Sequence, residues 1–308
     1  MLDIKVILEQ LNNNYSLEFN NVQLYREGGC ISYIVLRGNE KYFLKVIRST
    51  FMDTAIQSID ILLYLKKNKF PVPSFIYTDH KSPFLNVESS DEIYMFVLFD
   101  FIEGREPELG EDIELIGSIV GKLHKLMRNY DGKLKSQEKD FFINRYINIL
   151  IKKGYSATKI DIFKEYGDLI WERVKNLPRG FCHGDLHRGN LLKTSGGEYF
   201  VLDFDTSCSA FSTYDIMVMC DSTDYFAFES NGYNTSKNIY ESFLVGYSKY
   251  HTLSQNEINA FYDFIAIRHF QLQANIMEIY GLDCVDEEFL DNQLDWLKKW
   301  ILQCDEKR

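Results

Sequence analysis

Between residues 183 and 190 the chain reads His183-Gly184-Asp185-Leu186-His187-Arg188-Gly189-Asn190, a polar loop with a carboxylate and, five residues on, a carboxamide. Leu191-Leu192-Lys193 and a Thr194-Ser195-Gly196-Gly197 turn then lead into the apolar run Tyr199-Phe200-Val201-Leu202, which ends in Asp203-Phe204-Asp205. Phosphoryl transfer from a nucleotide needs such groups in this order. One carboxylate orients the attacking hydroxyl and takes its proton, an oxygen ligand from the same loop holds Mg²⁺, and a further carboxylate links the metal to the β- and γ-phosphates. A lone His-Gly-Asp tripeptide is an ordinary polar turn. The register of the carboxamide and the second carboxylate is what points to chemistry.

The apolar pattern indicates which elements would hold these groups. Residues 16–48 alternate apolar and polar positions in three short runs, separated by Gly28-Gly29 and Gly38-Asn39. That pattern predicts an antiparallel meander. In its third run, KYFLKVIR, Phe43, Lys45 and Ile47 share one face. From Phe51 to Lys69 the residues Ile56, Ile59, Leu62, Leu63 and Leu65 return at helical spacing and stop before Pro71-Val72-Pro73. Two more strands are expected near 74–78 and 93–101. Beyond Gly104 come long amphipathic segments, roughly 111–130, 138–153, 157–176, 235–250, 254–280 and 286–303, interrupted by the loop and hairpin of residues 181–205. The chain reads as α+β: a small antiparallel-sheet part over residues 1–102 and a larger, mainly helical part over 103–308.

With loop, hairpin and strand-end carboxylate in this order, the sequence resembles the aminoglycoside phosphotransferase and choline kinase-like small-molecule kinases, whose hallmark is HGDxxxxN followed by a hairpin and an Asp-containing strand end. The spacing from Asp185 to Asn190 also equals that of the protein-kinase loop HRDxxxxN, and Asp-Phe-Asp stands where that family has Asp-Phe-Gly. Gly184 in place of the arginine, and the lack of an APE segment, separate the chain from protein kinases proper. The resemblance spans nearly the whole chain, through the glycine turn, Lys45, Pro71-Val72-Pro73, Phe99–Gly104, the helix Gly117–Met127 with His124, and Tyr214-Asp215. It implies a protein kinase-like bilobal fold with ATP (or GTP) and Mg²⁺ as cofactors. It makes Asp185 the catalytic base, Asn190 and Asp203 the metal ligands, and Lys45 a contact to the α/β-phosphates. Gly28, Gly29 and Ser32 would line the phosphate loop and Asp100 and Ile102 the hinge-like segment, while His183 and Asp215 would brace the catalytic loop.

A lysine on a half-buried strand often reaches solvent along its own stem, but Lys45, one hairpin after a glycine turn, has a phosphate to meet. Kinases pair that lysine with a helix glutamate. The stretch Thr54–Asp60 holds none, which makes Asp60 the first substitute and Asp53 the second, each one carbon shorter. Asp205, on the same side of an extended strand as Asp203, either assists the metal or caps the next turn. Arg188 either touches a phosphate or, like His187, only solvates the loop. His124 reads as a packed core histidine.

The chain of 308 residues carries 34 Lys and Arg against 45 Asp and Glu, a net charge of −11 that argues against nucleic acid as a partner. With 45% hydrophobic and 26% charged residues it is neither a disordered chain nor a membrane protein by composition. Six scattered cysteines without a CxxC pair suggest reduced thiols and no zinc site. Acids interrupt any leader-like run at the amino terminus, so a cytoplasmic protein with no membrane partner is expected; nothing fixes an oligomeric state. Between Asp263 and Asp295 eight acids stand against Arg268 alone, and Asp221, Asp224 and Glu229 surround Tyr225-Phe226. Converging carboxylates would draw an aminated acceptor, with aromatic rings adding cation–π contact. Asp224, Tyr225, Arg268 and Glu278 are the candidate contacts, although most of these acids read equally as a solvated helix face. The expected activity is ATP-dependent phosphotransfer to a hydroxyl of a small polar, amine-bearing acceptor such as an aminoglycoside. Choline, homoserine, a hydroxylated amino acid or a sugar would use the same residues. From a different class, a catalytically silent kinase-like scaffold or coat protein would lack turnover.

Overall fold

The computed structural model describes residues 2–28, 30–89 and 92–307. Two compact units emerge: Met1–Pro107 with Gly189–Thr206, and Glu108–Arg188 with Ser207–Arg308. The segment 189–206 belongs to the later half of the sequence but packs with the first unit. Among the described residues no helix is long and apolar enough to cross a membrane, and all six cysteines are free thiols.

The first unit opens with helix α1 (Ile4–Asn14), followed by strands β1 (Asn21–Arg26), β2 (Ile31–Arg37) and β3 (Glu40–Arg48). Helix α2 (Met52–Lys67) and strands β4 (Leu85–Glu88) and β5 (Ile93–Asp100) follow, and the five strands form an antiparallel sheet in the order β1-β2-β3-β5-β4. Alternation on β3 divides the sheet into two faces. Leu44 and Val46 join a core with Tyr33, Phe96 and Leu98, while Phe43, Lys45 and Ile47 take the opposite face. No element is expected over residues 4–14, yet α1 forms there: Asp3 caps its first turn by accepting from the Lys5 N–H, and Ile7 and Leu11 lie fully buried in the core. The strand expected near 74–78 is a single bridge, Phe75 to Phe99, flanked by the bonds Ile76 N–Leu98 O and Asp100 N–Ser74 O. Pro71 and Pro73 cannot donate to a ladder, so no regular strand grows from this segment, and β4 forms the rest of that edge.

The second unit begins with α3 (Leu109–Met127), a π-helical turn over Asp140–Asn144 continuing into α4 (Arg145–Lys153), and α5 (Ala157–Val174), and then reaches strand β6 (Gly180–Cys182). The chain then crosses into the first unit as the hairpin β7 (Leu191–Lys193) and β8 (Tyr199–Val201). Backbone bonds between Arg105 and Lys193, and from Val201 N to Pro71 O, fasten that hairpin there. Strand β9 (Cys208–Ala210) returns to pair with β6, and helices α6 (Ser212–Cys220), α7 (Gly232–Tyr247), α8 (Gln255–Asn259), α9 (Phe261–Tyr280) and α10 (Glu287–Lys307) complete the unit. Helix α9 is its centre: Phe264 packs edge-on to Tyr214, and Phe270 meets Tyr146 and Phe163.

Helices α3 and α7 cross with backbone against backbone. A Cβ added at Gly246 would lie 1.8 Å from the Glu114 carbonyl oxygen, and one at Gly117 would lie 2.1 Å from that of Phe243. This crossing sets His124 of α3 within 2.9 Å of the Tyr247 hydroxyl of α7. Since neither backbone can yield cheaply, Gly246→Ala is expected to cost about 3 kcal/mol or more in urea denaturation. Gly110→Ala on α3 meets nothing within 4 Å and is the control, expected to leave the midpoint unchanged or slightly raised.

Candidate active site

In the first unit a cavity of about 450 Å³ lies against the sheet face that carries Phe43, Lys45 and Ile47. Ala55, Ile59 and Leu62 of α2 form part of its apolar wall, with Phe99, Leu192 and Leu202. The Lys45 ammonium donates to Asp203 Oδ1 at 2.7 Å and to Asp205 Oδ2 at 3.0 Å, with only 16% of its side chain exposed. Burial alone would pull this ammonium down, but the Asp205 and Asp203 carboxylates outweigh it and hold it above the usual lysine range. Asp203 has a left-handed backbone, φ 61°, a costly conformation for a residue with a side chain, and the fully buried Phe204 ring follows it. Asn190 lines the same cavity, and its carbonyl accepts from Leu202 N at 2.9 Å, which ties the end of the loop to the residue before Asp203.

The residues expected for the nucleotide divide. Ser32, Asp100 and Ile102 line the cavity with Lys45. Gly28 does not, and Gly29 lies outside the described residues. Neither Asp60 nor Asp53 meets Lys45: both are exposed, and α2 turns Ala55, Ser58, Ile59 and Leu62 toward the cavity instead. A residue's face on a helix follows from its position, and position 60 falls on the solvent side. The acid that meets Lys45 together with Asp203 is Asp205. Its signal was the two-residue spacing from Asp203, combined with a helix that lacks glutamate. The Cys30 thiol also points at Asp205, 3.7 Å away; burial first, and then that carboxylate, push the thiol up to about 12.

In the second unit the loop carrying Asp185 is pinned from behind by Asp215 of α6. The fully buried Asp215 accepts from His183 N at 2.6 Å, Gly184 N at 2.9 Å, Cys182 Sγ at 3.1 Å and His124 Nε2 at 3.1 Å. Burial would raise this carboxyl, but His124 and the His183 amide keep it below the ordinary value. Gly184 has φ 87°, which a side chain resists, and this turn brings two successive amides to one carboxylate. His124 is a core histidine, as its helix position suggests. Its Nδ1 lies 2.9 Å from the Tyr247 hydroxyl and its Nε2 3.1 Å from Asp215, so it also fixes the loop support. The Asp185 carboxylate accepts from Arg268 Nη2 at 2.8 Å and has His187 Nε2 at 3.7 Å. Arg188 is exposed and is not among the residues lining the first unit's cavity.

The remaining acceptor candidates are committed to local structure. Asp224 accepts from the Phe226 and Ala227 amides, Glu278 sits 3.6 Å from Arg145, and the Tyr225 hydroxyl donates to Asp221 while its ring stacks on Trp296. Arg268, the lone base of its acidic stretch, is the candidate that reaches Asp185.

The profile of the phosphotransferase enzyme family (APH) matches residues 26–252, and the chain belongs to that family. A homoserine kinase of Sinorhizobium fredii is 34% identical over 103 residues, 33% of this chain. Matches reach only 35% and 30% of the length of the curated relatives. Among solved structures, the amicoumacin kinase hAmiN superposes with a TM-score of 0.75 at 17% identity, covering 97% of this chain and 93% of that one. A microcompartment-associated aminopropanol kinase does so with 0.75 at 20%, covering 98% and 95%. These likenesses establish the α+β, protein kinase-like fold that the motifs imply.

Beside Arg268, His269 is fully buried, stacks on Trp296 at 4.5 Å and donates from Nε2 to Gln293. Burial pushes it down to about 4 from 6.5, with the Gln293 bond pulling slightly back. The unfolded chain therefore takes up this proton first, and stability falls as pH drops from 6.5 toward 4. The slope from this group is at most about 1.4 kcal/mol per pH unit. His269→Phe is expected to flatten the urea midpoint across that window relative to wild type; identical slopes would remove His269 as the cause.

Proposed function

We propose that the protein transfers the γ-phosphoryl group of ATP (or GTP) to a hydroxyl of a small polar acceptor. The observation that carries this reading is Lys45 held at 2.7 and 3.0 Å from Asp203 and Asp205 in a cavity that Asn190 also lines. Lys45 would turn from these carboxylates to the nucleotide phosphates, with the apolar wall from Ile47 to Leu202 taking the base and Ser32, Asp100 and Ile102 beside it. A carboxamide and carboxylates, with no thiolate or imidazole among them, suit a hard cation, so Asn190 and Asp203 would hold Mg²⁺. When bound, that ion neutralises charge on the transferred group. Asp185 accepts the hydroxyl proton as the acceptor oxygen bonds to the γ-phosphorus and the bond to the β–γ bridging oxygen breaks, leaving ADP and a phosphate ester. His183 and Asp215 hold the loop, and Asp205 takes the anchoring part that a helix glutamate would play. With that part filled, a silent scaffold loses its main support.

The amicoumacin kinase structure is described as a complex with AMP-PNP, Ca²⁺ and Ami, which supports nucleotide and divalent-ion use. The homoserine and aminopropanol kinases support a metabolite-sized hydroxyl acceptor, against an aminoglycoside-like antibiotic as the alternative. Capture of an acceptor amine by Asp224 or Glu278 has less support, since both carboxylates are already engaged.

Asp185→Asn is expected to lower kcat at least about 100-fold while Mg²⁺-ATP still raises the melting temperature. Retained transfer would mean that the base lies elsewhere. Asp205→Asn should raise the KM for ATP about tenfold, roughly one charge-assisted hydrogen bond, while Asp60→Asn should leave it as in wild type. Equal effects of the two would return the lysine's anchor to α2.

A further inference from the structure

We infer that the acceptor carries a carboxylate near the hydroxyl that is phosphorylated, and that Arg268 reads it. The inference rests on Asp185 being the base. Arg268 is 16% exposed at the side chain, with Nη2 on Asp185 Oδ1 at 2.8 Å and Nη1 on the Tyr214 hydroxyl at 3.1 Å. A guanidinium presents five N–H donors, and among the described residues these two are its hydrogen-bond partners. Tyr214 donates its own proton to Gln271, so toward Arg268 it only accepts.

A second guanidinium lies close by. Arg145 Nη2 donates to Asn275 Oδ1 at 2.6 Å and to Gln271 O at 3.3 Å, and among the described residues its buried Nε has no partner. Burial chiefly lowers its pKa, and the charge of Arg268 adds to that, against Glu278. Arg268, Gln271, Asn275 and Glu278 recur on α9 as one polar stripe, and Arg145 bonds along it. An ammonium brought beside Arg268 would meet two like charges, whereas a carboxylate matches the planar fork and its spare donors. A hydroxy acid or hydroxy amino acid brings both the nucleophile and that anion. The transferring phosphoryl group is the other anion that Arg268 could meet, and acceptor chemistry separates the two.

The test uses matched acceptors that differ by one carboxylate: L-serine and ethanolamine, L-threonine and 1-aminopropan-2-ol, L-homoserine and 3-aminopropan-1-ol, each with Mg²⁺-ATP. The expected result is a kcat/KM at least tenfold higher for the carboxylated member of one pair. Arg268→Gln, or Arg268→Lys if the first fails to fold, should collapse that ratio toward one, chiefly through KM. Ratios at or below one in all three pairs overturn the inference. So does a variant that slows both members of a pair alike through kcat, which would assign Arg268 to the base or the phosphoryl group. No turnover on any of the six, with thermal stabilisation by Mg²⁺-ATP intact, overturns the carboxylate and leaves the kinase reading standing. Loss of that stabilisation as well removes the kinase reading itself.

Discussion

A buried charge must be met by an opposite one, and the Lys45 ammonium sets that requirement in the first unit. Taken out of water, it would lose its proton or destabilise the unit, unless carboxylates stand beside it. Asp203 and Asp205 do so from a segment about 160 residues away in the chain. Bringing them there requires a hairpin fastened by the Arg105–Lys193 and Val201–Pro71 bonds, a strained left-handed backbone at Asp203, and a buried Phe204 ring. The ion pair ties residues 189–206 to strand β3, which precedes them by more than a hundred residues. It also holds the Lys45 ammonium above its ordinary range despite its burial.

The second unit answers the same requirement with Asp215. Four donors converge on its two oxygens, two of them successive backbone amides of the loop that carries Asp185. A carboxylate satisfied this fully is stable without solvent, so the loop is held from the protein side, while its Asp185 side chain meets Arg268. The support reaches further back. His124 needs the Tyr247 hydroxyl, and Tyr247 is in place only because α3 and α7 touch through glycines. A helix crossing distant in sequence thereby bears on the orientation of Asp185.

Arg268 reverses the electrostatic picture drawn from composition. Eight acids between residues 263 and 295 suggest a site for cations, but charge counted along a sequence does not say which side chains face one another. Several of those acids are spent on pairing and capping: Asp263 on Arg173, Asp291 on Lys159, Glu278 on Arg145, and Asp286 on the Phe289 amide. The single base of the stretch is the one aimed at Asp185.

The motif HGDLHRGN, the hairpin after it and the alternation of β3 were legible because each depends on residues close in sequence, where period and spacing carry the signal. The same local logic located most helices of the second unit. Helix α1 carried the same kind of signal, in Asp3 and the spacing of Ile7 and Leu11, but it lies ahead of the regular alternation. Position 60 illustrates the limit: an acid on the right helix faces water, and the lysine's anchor comes from position 205. Sequence alone determined which chemical groups are present and in what order. Only tertiary packing decided which charges pair, because ion pairing depends on distances of a few ångströms between side chains that lie 83 residues apart for Arg268 and Asp185 and 160 apart for Lys45 and Asp205.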